Sequence, residues 1–396
     1  RKSDMIPYTP LIRSRFTAKH LLIALILASA SPLAAQNFTP VTPEIVSARL
    51  AGFGGAYSSM QAGFDTLSTN PAALAAVDKE WSIARLAVNA FGPLFDLASV
   101  LQADDLTDGI LDLISKNEGI HLGSSITGPL AFGLVDRNFG FGLFNRSVVN
   151  ASIPSITSAT VLAGEELQLV GAYGLDVLTH KKHALAVGLQ LKGFFQTFLT
   201  ESGTAIAVLS TFTGSEGFKP QNIPTILATG FGVDAGLLYR FGSLLNVGIV
   251  CRNAFTPVYI SSYATFTDYL DGVPAGDTRS DRLEPELDAG ATIRIPLPEN
   301  WITVTEFRVM ADYRNILDRF KPAARNPVLE AAVGTELRLL DVVSLRAGIS
   351  ETYLSSGLGL DLSFFTIDFA MYGRELGREP GKRPLLNMEL QISMEY

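Results

Sequence analysis

The chain has 396 residues, of which only 18% are charged, and a formal net charge of −8. That balance excludes a nucleic-acid binder, which needs a basic face. The single cysteine, Cys251, excludes intrachain disulfides and paired-thiolate zinc sites. Mean hydropathy is positive, yet beyond residue 35 no run of about 18 apolar residues is present to cross a bilayer as a helix. Only helices and closed barrels satisfy their backbones in lipid, so the composition points to a membrane protein built of strands.

Residues 1–35 have the layout of a secretory signal. Arg13, Arg15 and Lys19 precede the apolar run Leu21–Ala28, and small residues follow. Cleavage is expected after Ala35, with Ala30 as the alternative. Residues 1–12 form an upstream extension, with Met5 a candidate initiator. The apolar run is too short to serve comfortably as an anchor.

Residues 36–79 are rich in Gly, Ala, Ser and Pro. The run Leu50-Ala-Gly-Phe-Gly-Gly-Ala-Tyr-Ser58 is followed by Asn70-Pro-Ala-Ala-Leu74. Clustered glycines suggest a phosphate loop, but no apolar strand leads in and no Lys-Ser/Thr follows. Gly-Gly-Ala-Tyr-Ser with a downstream Asn-Pro-Ala resembles the plug, or hatch, of FadL-type outer-membrane transporters of long-chain fatty acids. It is similar too to spirochaetal FadL-like proteins and to PorV-type secretion proteins. The resemblance is specific over some 30 residues, and its spacing from Ser58 to Asn70 is shorter than in the fatty acid transporters.

Strands follow at 80–91, 119–134, 139–150, 165–178, 183–198, 228–241, 245–255, 285–296, 301–312, 327–340 and 342–350. Each alternates apolar with polar residues, as in Leu167, Leu169, Tyr173 and Leu175 against Glu166, Gln168, Gly174 and Asp176. A hairpin is expected over 355–372, turning at Ser363-Phe364. The last strand, Leu386 to Tyr396, has one wholly apolar and one wholly polar face. The expected fold is all-β: a transmembrane antiparallel β-barrel of fourteen strands over 80–396, with the N-terminal plug in its lumen. An even count places both ends of the barrel on the periplasmic side. Short connections at 135–138, 179–182, 242–244, 297–300 and 341 alternate with long ones at 92–118, 151–164, 199–227, 256–284 and 313–326. This is the expected sorting of periplasmic turns from extracellular loops. Helical spacing of Leu94, Leu97, Leu101, Ile110, Leu113 and Ile114 predicts a structured outer loop, and Ala205–Leu209 reads as a second short helix or a barrel lip.

Catalytic chemistry is not legible. His180-Lys181-Lys182-His183 reads as a solvated turn, because its lysines repel a cation. Cys251 reads as a packed or lipid-facing thiol. Glu165 and Glu166 are neighbours in a strand and face opposite ways. Neither a metal nor another cofactor is implied. The luminal set mixes Lys192, Arg240, Arg294 and Arg338 with Asp234, Asp288, Glu330, Glu336, Glu389 and Glu395, which suits bracing of a plug.

The resemblance implies an integral protein of the bacterial outer membrane that imports long-chain fatty acids or similar hydrophobic molecules. Plug and gating roles carry over to Gly52, Phe53, Gly54, Gly55, Tyr57, Asn70, Pro71 and Ala72. A hydrophobic ligand groove is expected from Phe38, Phe64, Leu94, Leu97 and Leu101. Expected partners are membrane lipid, the hydrophobic ligand, and the barrel-assembly machinery through the strand ending at Tyr396. Two alternatives stand beside this reading: a non-transporting PorV-like scaffold for secreted proteins, and a diffusion porin.

Overall fold

The computed structural model describes residues 43, 45, 47–96, 109, 112–114, 119–205, 207–208, 220–298 and 300–396. The signal segment, Phe38, Leu97 and Leu101 lie outside the described residues. Fourteen antiparallel strands close into a barrel. In chain order they are β1 (Glu80–Phe91), β2 (Ile120–Thr127 and Phe132–Asp136), β3 (Phe139–Ser155), β4 (Ser158–His180), β5 (His183–Gly203), β6 (Thr225–Phe241) and β7 (Leu245–Phe255 and Pro257–Tyr263). Then come β8 (Asp277–Arg282 and Glu286–Arg294), β9 (Val304–Tyr313), β10 (Ala331–Leu339), β11 (Val343–Ser350), β12 (Tyr353–Asp361), β13 (Phe365–Glu375) and β14 (Pro384–Glu395). β1 and β14 close the ring from Ser82↔Glu395 to Phe91↔Asn387. Trp81 and Tyr396 exchange backbone hydrogen bonds of 2.7 and 2.8 Å at the periplasmic end.

Alternation along each strand decides which side chains meet lipid. On β5, Leu191 is 57% exposed and the adjacent Lys192 only 6%. The outward apolar set on β4 runs from Leu167 to Val177, close to the 9–11 residues or so that a tilted strand needs to cross a bilayer. The ring closes on itself, and among the described residues the outer segment Asp277–Arg282 is paired on one side only.

The hairpin at the chain's end stands as expected, with β12 and β13 paired from Ser355↔Tyr372 to Asp361↔Thr366. The loop pattern needs correction. Residues 151–164 are not a long connection: Ser155 pairs with Ser158, and the strands continue on either side. Likewise 256–284 is largely strand, because Pro257–Tyr263 pairs with Asp277–Arg282. Only 264–276 loops out, carrying the helix α2 at Phe266–Leu270. β4 and β5, of 23 and 21 residues, therefore stand well above the membrane. Apolar alternation ends where lipid ends, at Leu167 and Phe195, but the hydrogen-bonded ladder continues in water. Residues 94–96 and 112–114 are helical, as are the described residues 205, 207 and 208, so both predicted outer-loop helices are present in part.

Candidate functional site

Residues 47–79 run through the lumen. Ser47 caps a short helix, α1 (Ala48–Gly52), its Oγ accepting from Leu50 N. Gly54 and Gly55 then turn the chain at φ +77° and +70°, a left-handed conformation in which other residues are strained. A 3₁₀ turn follows at Gly63–Ser68. A second, Pro71–Ala76, is capped by Asn70 with Pro71 at its first position, where the missing N–H costs nothing.

The barrel wall is shaped to take this segment. Inward-facing glycines pair across neighbouring strands: Gly174 with Gly188, Gly188 with Gly236, Gly248 with Gly290, and Gly334 with Gly348. Each leaves a slot filled by plug backbone or its polar contacts. A Cβ on Gly188 would lie 2.2 Å from Ala72 N, on Gly248 2.1 Å from Ser58 O, and on Gly334 2.2 Å from Phe53 O. These glycines form a girdle, and the plug lies keyed into it.

Polar contacts fix the register. Asn70 Nδ2 donates to Ser58 O at 2.8 Å and to the wall carbonyls of Leu237 and Ile249 at 3.1 and 3.3 Å, while Oδ1 accepts from Ala72 N at 3.0 Å. Asp312 Oδ2 accepts from Tyr57 N and Ser58 N at 3.0 and 2.7 Å. The Tyr57 ring lies 5.3 Å from the Arg252 guanidinium, which pairs with Asp288 at 2.5 Å. Asp65 pairs with Arg85 of β1 at 2.7 Å, both almost fully buried, and accepts from Ser47 Oγ at 3.0 Å.

Below the plug, towards the periplasm, a cavity of about 190 Å³ is lined by ion pairs. Glu336 bridges Arg308 at 2.5 Å and Arg346 at 2.8 Å, and Arg346 reaches Asp368 at 2.5 Å. Above it the lining changes character. Phe194, Ile226, Val258, Ile260 and Leu283 form one apolar cluster on β5–β8. The outer-loop residues Leu113, Ile114, Ala205, Val208 and Ile223 form a second over β3 and β4.

Between β1 and β2 the wall is interrupted at the level of the plug. β1 pairs with the first segment of β2 through Ala87–Phe91 and with the second through Glu80–Ser82. Between them one hydrogen bond, Arg85 N to Ala131 O at 2.9 Å, spans the break. Behind it pack Ala131, Phe64, Leu67, Phe144 and Val170.

All eight predicted plug residues thus lie in the lumen. Phe64 is not part of an outer groove; it is buried beside the wall break, its ring 5.5 Å from that of Phe144 and 5.2 Å from the Arg85 guanidinium. Leu94 is half-buried at the start of the outer loop. Among the predicted luminal charges, Lys192 pairs with Asp234 at 2.8 Å, and Arg240 with Asp176. Arg85, Arg308, Arg346 and Asp312 were missed, although the alternation of β1, β9 and β11 places each on an inward face. Among the described residues no group of three His, Cys, Asp or Glu side chains is placed to hold a metal.

Fold and lumen together define a closed antiparallel β-barrel with an apolar outer face and with residues 47–79 threaded through its lumen. The same architecture is found in the toluene transporter TbuX of Ralstonia pickettii, at a TM-score of 0.50 and 15% identity, covering 89% of this chain and 98% of that one. Also similar are the P. putida toluene transporter TodX (TM-score 0.45, 14% identity, 89% and 97% covered) and a Pseudomonas aeruginosa FadL homologue (TM-score 0.41, 14% identity, 87% and 97% covered). The likeness to TbuX is one of fold. No family model matches the sequence, and no curated protein matches it.

Proposed function

We propose that the protein imports hydrophobic molecules across the outer membrane. One observation carries this reading: the lumen is apolar above the plug and beside the wall break, and ionic below it. An apolar molecule is favoured in the upper chamber by burial, at about 25 cal/mol per Å² of apolar surface. It is opposed at the ionic periplasmic end, where its entry would strip water from paired charges. The break in β2 offers a way from the chamber to the membrane interior. Plug residues Gly52 to Tyr57 and Asn70 to Ala72 then act as the floor of the chamber. Two ligand classes fit: long-chain fatty acids, from the plug resemblance, and monoaromatic hydrocarbons, from the solved structures of like fold.

Val208→Asp places an unpaired charge inside the outer cluster, where Val208 is 5% exposed. Uptake of a labelled hydrophobic molecule by cells is expected to fall about tenfold, the effect of roughly 1.4 kcal/mol on entry. Surface protease mapping should show an unchanged barrel. Undiminished uptake would remove the outer cluster from the path.

The scaffold reading is favoured by a different feature. The outer connections on the β9–β14 side are tied together: Arg325 reaches Glu351 at 3.4 Å and the Glu375 carbonyl at 2.7 Å, and Glu351 accepts from Glu375 N at 2.7 Å. This fixed roof exposes Phe320 and Leu354, at 82% and 76%. A rigid surface with apolar points is what a secreted partner would grip.

A further inference from the structure

The inner wall of β4 and β5 carries polar groups that neither the plug nor the ion pairs use. Gln190, Gln168 and Gln196 are 6%, 4% and 0% exposed. Gln196 Nε2 donates to Glu166 Oε1 at 2.9 Å, and Gln190 Nε2 to Asp234 Oδ2 at 3.1 Å. Those bonds fix both amides, so what remains in each is the carbonyl oxygen. Among the described residues, nothing donates to Oε1 of Gln168, Gln190 or Gln196. Buried acceptors without donors are uncommon in native proteins and ask for an explanation.

Their placement supplies one. Gln190 stands two residues above the girdle glycine Gly188. Gln168 lies on the next rungs, opposite Phe194 on one side and Phe144 on the other. Gln196 follows, opposite Glu166, and Phe198 comes next, across from Gly164. From Gln190 to Gln196 the wall rises about 20 Å at some 3.3 Å per residue. Acceptor oxygens therefore alternate with phenyl rings along the side of the lumen that runs from the outer apolar clusters to the plug. The nearby cations are already engaged. Lys192 Nζ holds both oxygens of Asp234, and Arg146 faces Glu166 at 3.6 Å.

We infer that this ladder selects, among hydrophobic molecules, those bearing a neutral hydroxyl donor, which the glutamine carbonyls accept while the phenyl rings hold the apolar body. The inference rests on the transport reading and narrows its ligand class. A plain alkane or arene gains only the rings and leaves the acceptors unmet. An ionised carboxylate brings oxygen against oxygen, and the nearest cations, Lys192 and Arg146, already face Asp234 and Glu166. An alcohol or a phenol satisfies both features.

The test uses cells lacking their own transporter and carrying the full-length protein. They are offered a labelled alkanol, alkane and alkanoate of equal chain length. The wild-type protein should accumulate the alkanol fastest. Gln168→Met removes none of the hydrogen bonds described above and keeps the side chain's length, so it should fold normally; Gln168→Met/Gln196→Met removes two acceptors. Alkanol uptake should fall about fivefold and then about twentyfold, with alkane uptake unchanged or raised. Equal losses for alkanol and alkane, or no loss in either variant, would overturn the inference and assign these oxygens to water. Wild-type uptake of all three without preference would overturn it and leave transport standing. Uptake of none by an assembled barrel would overturn both.

Discussion

Gly188→Val is expected to unseat the plug. Its new Cβ would stand 2.2 Å from Ala72 N and 2.3 Å from Pro71 C, and both neighbours are backbone. A side chain can swing aside, but a capped 3₁₀ turn held by Asn70 on two wall carbonyls cannot yield locally. Overpacking in a flexible core costs about 1–3 kcal/mol, and a clash with fixed backbone costs more. The barrel ladder does not pass through the plug, so the strands still close. In planar bilayers the variant should give large ohmic openings where the wild-type protein gives little or none, and residues 47–79 should become sensitive to protease. The control is Gly171→Val, whose Cβ points towards lipid and meets nothing within 4 Å. It should behave as wild type. Wild-type conductance from Gly188→Val would mean that the girdle does not hold the plug.

Asp65→Asn is expected to loosen the plug segment beside the wall break. Asp65 and Arg85 are 5% and 2% exposed and lie 2.7 Å apart. Breaking such a pair strands a buried charge and costs about 3–5 kcal/mol. Glu395, 3.7 Å from Arg85, recovers part of this. The loss falls on residues 62–69, which have no girdle glycine facing Asp65 and are held instead by charge and by Phe64 N on Glu80 at 2.9 Å. Hydrogen exchange should rise about a hundredfold or more at amides 64–69 and stay unchanged at amides 72–75. Asp65→Leu/Arg85→Met should restore much of the protection, because an apolar pair of similar volume replaces a buried ion pair at little cost. Equal exchange at both plug segments would show that the plug moves as one body.

The sequence made the barrel legible because one physical constraint, lipid on one face and a polar lumen on the other, acts on every strand. β1 is read to its residue boundaries, and the hairpin at 355–372 follows from the turn at Ser363-Phe364 together with the even strand count. What was illegible lies where that constraint stops. Above the membrane β4 and β5 are wet outside and covered inside, so Glu165 to Ser158 carries no alternation of apolar residues, and a loop was expected there. Gly174, Gly188 and Gly334 fall on the polar face of their strands, but nothing local separates a glycine that receives the plug from Gly230 or Gly232, which share that face and meet Phe194 and Lys192 instead. Their role exists only in the pairing of strands with each other and with residues 52–75. The plug's own motif, Gly54-Gly55 and Asn70-Pro71, was legible because a left-handed turn and a helix cap are local requirements. Phe64 was assigned to the ligand on its residue type alone; its seat beside Phe144 and Arg85 depends on a contact with β3.

The most direct measurement is the accumulation of a labelled long-chain fatty acid and a labelled monoaromatic hydrocarbon by bacteria lacking their own transporter. Cells carrying this protein are compared with empty-vector cells, and surface protease cleavage confirms an assembled barrel. Import predicts accumulation above the vector for at least one of the two compounds. An assembled barrel that accumulates neither would contradict import and would turn the search to a secreted partner on the roof around Phe320 and Leu354.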